Sequence, residues 1–209
     1  MPHLYIITGS NGAGKSTVGP AYLPKDITDH HIIFDGDLIF TQKLKELFPK
    51  FTKSPKEARN IARDFVINSF DDAIQKAITH KTDFVYEGHF TNDATWDVPK
   101  RFKNEGYQIH MIFLGLKNQN LSQLRVTDRV SEGGHYVNKS TIDANFIGNL
   151  EKLDKYFSLM DELIIIDSSE IDHKLLLSLQ YHRITYAVKK EELPLWFSQY
   201  LPLITSLLK

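Results

Sequence analysis

Leu4-Tyr5-Ile6-Ile7-Thr8-Gly9-Ser10-Asn11-Gly12-Ala13-Gly14-Lys15-Ser16-Thr17 joins a short apolar run to a glycine loop. Residues 4–7 have the length and composition of a buried strand. Residues 9–16 match G-x-x-x-x-G-K-[ST] where its chemistry requires it, between a strand and a helix expected from about Lys15. Glycines let backbone N–H groups converge on phosphate oxygens, and a helix N-terminus adds a favourable dipole. Lys15 supplies a point charge for the β and γ phosphates, and the Ser16 hydroxyl supplies a ligand for Mg²⁺. Gly9, Ser10, Asn11, Gly12, Ala13, Gly14, Lys15, Ser16 and Thr17 are therefore the expected nucleotide-binding residues, with a nucleoside triphosphate and Mg²⁺ as the implied ligands. The loop alone does not separate motors, GTPases, kinases and synthetases.

Outward from the loop, residues 31–35 read as a second strand, 38–48 as a helix and 55–79 as a long helix opened by Ser54-Pro55. Further strands are expected at 83–87, 107–114, 163–167 and 180–188. Helices are expected at 118–131, at about 140–159 with Ser140 as cap, and at 193–208. Strands alternating with helices predict an α/β fold, a mostly parallel sheet with helices on both faces. No repeat or Gly/Ser linker interrupts the 209 residues, so one domain over 1–209 is the economical reading. Residues 117–139 group Arg125, Arg129 and Gly133-Gly134 and read as a lid.

The 25 basic and 26 acidic residues nearly cancel, which leaves no extended basic footprint for nucleic acid. The absence of Cys excludes disulfides and Cys-ligated zinc and fits a reducing compartment. No signal peptide or apolar span of about 20 residues is present, so a cytoplasmic protein away from membranes is expected.

In doubly wound sheets ligands sit outside the carboxyl ends of the strands. Asp35, Asp37 and Glu87 end the second and third strands and should face the loop. Asp37 is the candidate to accept a proton from an attacking hydroxyl, and Glu87 to hold a substrate hydroxyl or a water on Mg²⁺. Capping of the following helix is the competing role for each, and a strand-end turn the competing role for Asp35. Arg125 and Arg129 share a helical face from which a closing lid would bring positive charge to a transferring phosphoryl group, Arg129 being the first choice. A solvated face paired with Asp128 or Glu132 is the alternative. His135 follows the double glycine within reach of phosphate or substrate. Asp167-Ser168-Ser169 ends the fifth strand near where a base would lie.

These residues resemble the zeta-toxin-like P-loop kinases, which include toxins that phosphorylate UDP-N-acetylglucosamine. The resemblance rests on residues 9–16, on Ile33-Phe34-Asp35-Gly36-Asp37, on Tyr86-Glu87-Gly88, and on Arg125-Val126-Thr127-Asp128-Arg129-Val130 with Gly133-Gly134-His135-Tyr136-Val137. It implies ATP and Mg²⁺, the sheet order of nucleoside and adenylate kinases, Asp37 as catalytic aspartate, Glu87 as substrate-binding acid and Arg129 as a phosphate contact. Family members usually carry proline after Gly-Gly-His-x-Val and a basic pair before the next aromatic. This chain has Asn138 and then Ala144-Asn145-Phe146, which removes one phosphate contact. A small-molecule kinase is the reading that follows. A nucleotide-binding regulatory module partnered by a protein antitoxin is the alternative, and a polynucleotide 5′-kinase the lesser one. No Asn-Lys-x-Asp guanine-reading motif occurs, which favours ATP over GTP.

Overall fold

The computed structural model describes residues 1–131 and 137–208. Its centre is β1 (His3–Gly9), apolar throughout residues 4–7 because strands flank it on both edges and chain covers it on both faces. The other strands are β2 (Phe34–Asp35), β3 (Phe84–Gly88), β4 (Gln108–Gly115), β5 (Glu162–Asp167), β6 (Lys174–Gln180) and β7 (Arg183–Ala187). They form one sheet in the order β2-β3-β1-β4-β5-β6-β7. The first five are mutually parallel, while β6 and β7 extend the β5 edge as antiparallel neighbours.

The helices are α1 (Lys25–His30), α2 (Gly36–Leu47), α3 (Pro55–His80), α4 (Asp97–Asn104), α5 (Gln119–Ser131), α6 (Lys139–Tyr156), α7 (Leu195–Tyr200) and α8 (Pro202–Thr205). Alternation along β1 and β4 divides the covering layers. On one face Thr8 Oγ1 donates to Asn149 Oδ1 of α6 at 3.4 Å, and Gly115 lies against Trp196 of α7. On the other, Ile7 packs so closely on Gly19 that a Cβ there would come within 2.4 Å of its Cγ2. The sheet is therefore sandwiched, with Trp96, Phe102, Phe113, Phe146, Trp196 and Phe197 among the fully buried side chains.

The structure departs from the sequence expectation in instructive places. No helix starts at Lys15: the N–H groups of Thr17, Val18 and Gly19 all turn back on the Gly14 carbonyl, a 3₁₀ turn follows at Gly19–Tyr22, and α1 begins only at Lys25. Pro20 lacks an N–H and disfavours helical geometry at Gly19, and Pro24 repeats the break. The second strand keeps only two residues, held by β3 alone at the sheet edge. The cap of α6 is Asn138 rather than Ser140, its Oδ1 accepting the Thr141 N–H at 2.8 Å. The expected strand at 180–188 holds β7 alone, preceded by a turn at Tyr181 and His182, both at positive φ (46° and 62°) and without the glycine that usually marks such a turn, while its hairpin partner β6 was not expected. The terminal helix is split at Leu201-Pro202, and α4 was concealed by Pro99 within its eight residues.

Candidate active site

The loop after β1 is compact because its glycines have no alternative. Gly9, Gly12 and Gly14 take φ of +142°, +72° and +86°. A Cβ on Gly9 would meet the Leu114 carbonyl oxygen at 2.2 Å, and one on Gly12 would meet Arg125 Cβ at 2.9 Å. The Ser122 hydroxyl of α5 donates to the Asn11 carbonyl at 2.5 Å. Among the described residues no acceptor takes the N–H groups of Gly14, Lys15 and Ser16, and the buried Ser10 hydroxyl has no partner. Donors left open at the end of a central strand are what phosphate oxygens require, so these residues fit a bound triphosphate.

Lys15 is half-buried, its Nζ donating to the Ser10 carbonyl at 3.4 Å. Burial lowers its pKa, with Arg129 acting in the same direction and Glu87, Asp37 and Asp35 opposing. One positive and three negative side chains, brought from β2, α2, β3 and α5, thus bear on the loop lysine. They share a cleft of about 450 Å³ with Asn11, Gly12, Ser16, Thr17 and Arg125. That volume lies within the range of small-ligand sites.

The two aspartates are distinguished by geometry. Asp35 Oδ1 accepts the Leu38 N–H at 2.9 Å and caps α2, a role that the sequence suggests for Asp37 and Glu87 rather than for Asp35. Asp37 lies in the first turn of that helix with its side chain exposed on the cleft. Glu87 is in register with both Ile7 and Asp35, which sets it beside the loop. Burial raises its pKa, Asp35 and Asp37 push the same way, and Lys15 and a hydrogen bond from Ser16 pull it down.

Arg125 and Arg129 do lie on one side of α5, but their surroundings differ. Arg125 Nη1 donates to the carbonyls of Gly12 (3.3 Å) and Ser168 (2.8 Å), and Nη2 to that of Ser169 (2.9 Å). Arg125 therefore ties α5 to the loop and to the end of β5, while Arg129 lines the cleft and its charge acts on Lys15 and His89. Residues 119–131 of the expected lid are thus a helix anchored to the loop. Glu132, Gly133, Gly134, His135 and Tyr136 lie outside the described residues. Among the described residues no group of three or more His, Asp or Glu side chains is arranged to hold a metal.

Sequence reading missed a polar network behind the loop. Asn149 Oδ1 accepts the Phe90 N–H at 2.6 Å, which turns its Nδ2 toward His89 Nδ1 at 3.2 Å. His89 Nδ1 is then an acceptor, and its Nε2 lies 3.4 Å from Asn11 Nδ2. Burial, more than the charge of Lys15, holds the His89 pKa well below its usual value, so the ring is neutral. Asn145 Nδ2 donates to Asn11 Oδ1 at 2.8 Å. Where the family usually carries a basic residue, this chain has an amide that braces the loop. The signal available in advance was the position of His89 directly after Glu87-Gly88.

Five parallel strands in the order 2-3-1-4-5, a phosphate loop closing the central one and acids closing the next two define a P-loop NTPase of kinase-like topology. The chain belongs to the zeta toxin family, which it matches over residues 1–174. No curated protein matches it. Among solved structures it is similar to the AvrRxo1-ORF1:AvrRxo1-ORF2 complex with sulphate ions, at a TM-score of 0.73 and 12% identity over 96% of this chain and 64% of that one. The same complex with ATP gives 0.73 and 13% over the same shares. The PezAT toxin–antitoxin system of Streptococcus pneumoniae gives 0.60 and 20% over 85% and 72%. The chain therefore spans under two thirds of the AvrRxo1 chain, and these likenesses bear on the fold. Among the described residues no helix is long and apolar enough to cross a membrane.

Proposed function

We propose that this chain is an ATP- and Mg²⁺-dependent kinase that transfers the γ-phosphoryl group to a hydroxyl of a small molecule. The observation that carries the reading is the convergence of Asp37, Glu87, Lys15 and Arg129 on one cleft at the phosphate loop. The open N–H groups of the loop and Lys15 hold the triphosphate, and Ser16 supplies the protein ligand to Mg²⁺. Asp37, exposed beside the cleft and relieved of capping by Asp35, takes the proton of the acceptor hydroxyl. As the acceptor oxygen bonds to phosphorus, the bond to the β–γ bridging oxygen breaks and ADP leaves. Arg129 offsets the charge spread over the moving group, and Glu87 holds the acceptor. His135 and Arg125 are secondary contacts on this reading, Arg125 acting mainly through the loop it braces. The protein acts as one domain over 1–209, in the cytoplasm.

Incubation with labelled ATP, Mg²⁺ and a metabolite extract is expected to label a small molecule, and Asp37→Ala to abolish the labelling. Absence of transfer under every condition, with ATP still bound, overturns the proposal.

A second reading, a module controlled by a protein antitoxin, draws support from the PezAT toxin–antitoxin system among the similar folds and from Ile61, Phe65 and Ile67, apolar and exposed on α3. Copurification of a tight partner with a catalytically silent chain would favour it.

A further inference from the structure

Beside the nucleotide cleft, a hollow of about 180 Å³ lies between Lys15, Asp35, Asp37, Glu87 and His89. It shares Gly36, Glu87, Gly88 and His89 with a second hollow of about 270 Å³ that runs under α3. The walls of this second space are hydrocarbon and aromatic: Phe34, Phe70, Tyr86, Phe90, Val66 and Val98. Phe34 and Tyr86 stand on neighbouring strands in register, and the ring of Phe70 lies 5.0 Å from Phe34 and 5.3 Å from Tyr86. Gly88 leaves the floor open: a Cβ there would meet only the Tyr86 ring, at an ordinary 3.6 Å, and its φ does not demand glycine. The missing side chain at 88 is therefore space rather than a backbone necessity. Tyr86 is 5% exposed and its hydroxyl is buried away from the space without a hydrogen-bond partner among the described residues, so the surface it gives the wall is its ring.

From this arrangement we infer that the hollow under α3 is the acceptor subsite, and that it takes an uncharged alcohol with an aromatic or alicyclic body. The reacting hydroxyl faces Asp37 and Glu87, and the hydrocarbon body lies among Phe34, Phe70 and Tyr86. The inference rests on the kinase reading for the direction in which the acceptor lies. A free sugar or a nucleobase fits poorly, because each carries several polar edge atoms that these walls would strip of water without replacement. A hydrocarbon ring loses nothing on entry and is favoured by the area it buries.

The probes are 2-phenylethanol and 2-(4-hydroxyphenyl)ethanol, with uridine and N-acetylglucosamine as polar comparisons. Binding is followed by saturation-transfer NMR in the presence of Mg²⁺ and a non-hydrolysable ATP analogue. Both aromatic alcohols are expected to bind about tenfold or more tightly than either polar compound, the size of effect that apolar pockets give. Gly88→Val fills the floor, and Val66→Phe fills the facing wall. Each should weaken the aromatic alcohols by about tenfold or more while nucleotide affinity stays unchanged. Tyr86→Phe should fold at least as stably, since it removes an unpaired hydroxyl, and should bind both aromatic alcohols as before, because the ring that forms the wall is kept. Preference for uridine or N-acetylglucosamine, or indifference of the aromatic alcohols to both filling variants, overturns the inference. A parallel assay with labelled ATP separates the two claims. Transfer to a polar acceptor without aromatic binding sinks the subsite and leaves the kinase, whereas aromatic binding that the filling variants abolish, without any transfer, keeps the subsite and sinks the kinase.

Discussion

Two aspartates two positions apart do different work because one of them is consumed by the backbone. Asp35 caps α2 through the Leu38 N–H, and Asp37 is left exposed on the cleft. Asp37→Asn is expected to lower the rate of phosphoryl transfer about 10²- to 10⁴-fold with ATP affinity retained. Asp35→Ala is expected to cost about 1 kcal/mol of stability, seen as a modest fall in the unfolding midpoint. A variant at Asp35 that kills transfer without touching the midpoint would reverse the assignment. Glu87 is strained in the absence of ligand, because burial raises its pKa against the pull of Lys15 and Ser16. A carboxyl with a raised folded-state pKa contributes stability below its unfolded value and loses it as pH rises through the folded one. Glu87→Gln should therefore raise the midpoint of the ligand-free protein at neutral pH, with the gain fading as pH falls through the carboxylate range. A thermal denaturation series over pH checks this. The sequence made the strand-end acids legible, but not which one capped the helix, since that depends on where α2 begins. His89 was illegible as a structural group because Asn149, which fixes its tautomer, lies 60 positions away.

At the scale of elements, the sheet-facing strands were readable from apolar runs, and the long helix α3 from Ser54-Pro55, with the Ser54 side chain accepting the Glu57 N–H. The elements misread were those ruled by proline or by turns without glycine: the segment after the loop, α4, the β6–β7 hairpin and the split C-terminal helix. In each, local chemistry overrode the periodicity of the apolar residues. The helix α5 shows a different limit. Its spacing put Arg125 and Arg129 on one face, yet which arginine stays with the backbone depends on carbonyls of Gly12, Ser168 and Ser169 contributed by two other loops. Arg125→Met should leave these carbonyls without their donor, at about 1–3 kcal/mol, and loosen the loop that α5 supports. Lower thermal stability together with weaker nucleotide binding is the expected pair of results. Arg125→Lys should restore little, because a point charge cannot reach three carbonyls on two loops as the guanidinium fork does. Unchanged nucleotide affinity in Arg125→Met would show that the brace has no bearing on the loop.

Across the whole molecule, the order of the sheet turns a one-dimensional motif into a site. Placing β3 and β2 on one side of β1 brings Glu87 and the start of α2 to the loop, and placing β4 on the other brings α5 over it. The order itself was legible only through the family resemblance, since periodicity identifies strands but not their neighbours. The same arrangement makes stability depend on the nucleotide. Lys15 is half-buried, with its pKa lowered chiefly by burial, and the N–H groups of Gly14, Lys15 and Ser16 lack acceptors among the described residues, so the ligand-free loop holds donors that phosphate oxygens would satisfy. Triphosphate bound there stabilises the folded state alone. At a concentration of 100 times Kd the gain is about 2.7 kcal/mol. For a chain of 209 residues this corresponds to a rise in the unfolding midpoint of roughly 5–10 °C. MgATP is expected to give this shift, ATP with chelator a smaller one, and MgATP on Lys15→Ala almost none. Because bound phosphates favour the ammonium form, ATP affinity should fall as pH rises through the lowered pKa of ligand-free Lys15, earlier than an ordinary lysine would impose. An unfolding midpoint indifferent to MgATP at saturating concentration would remove the nucleotide from this site altogether.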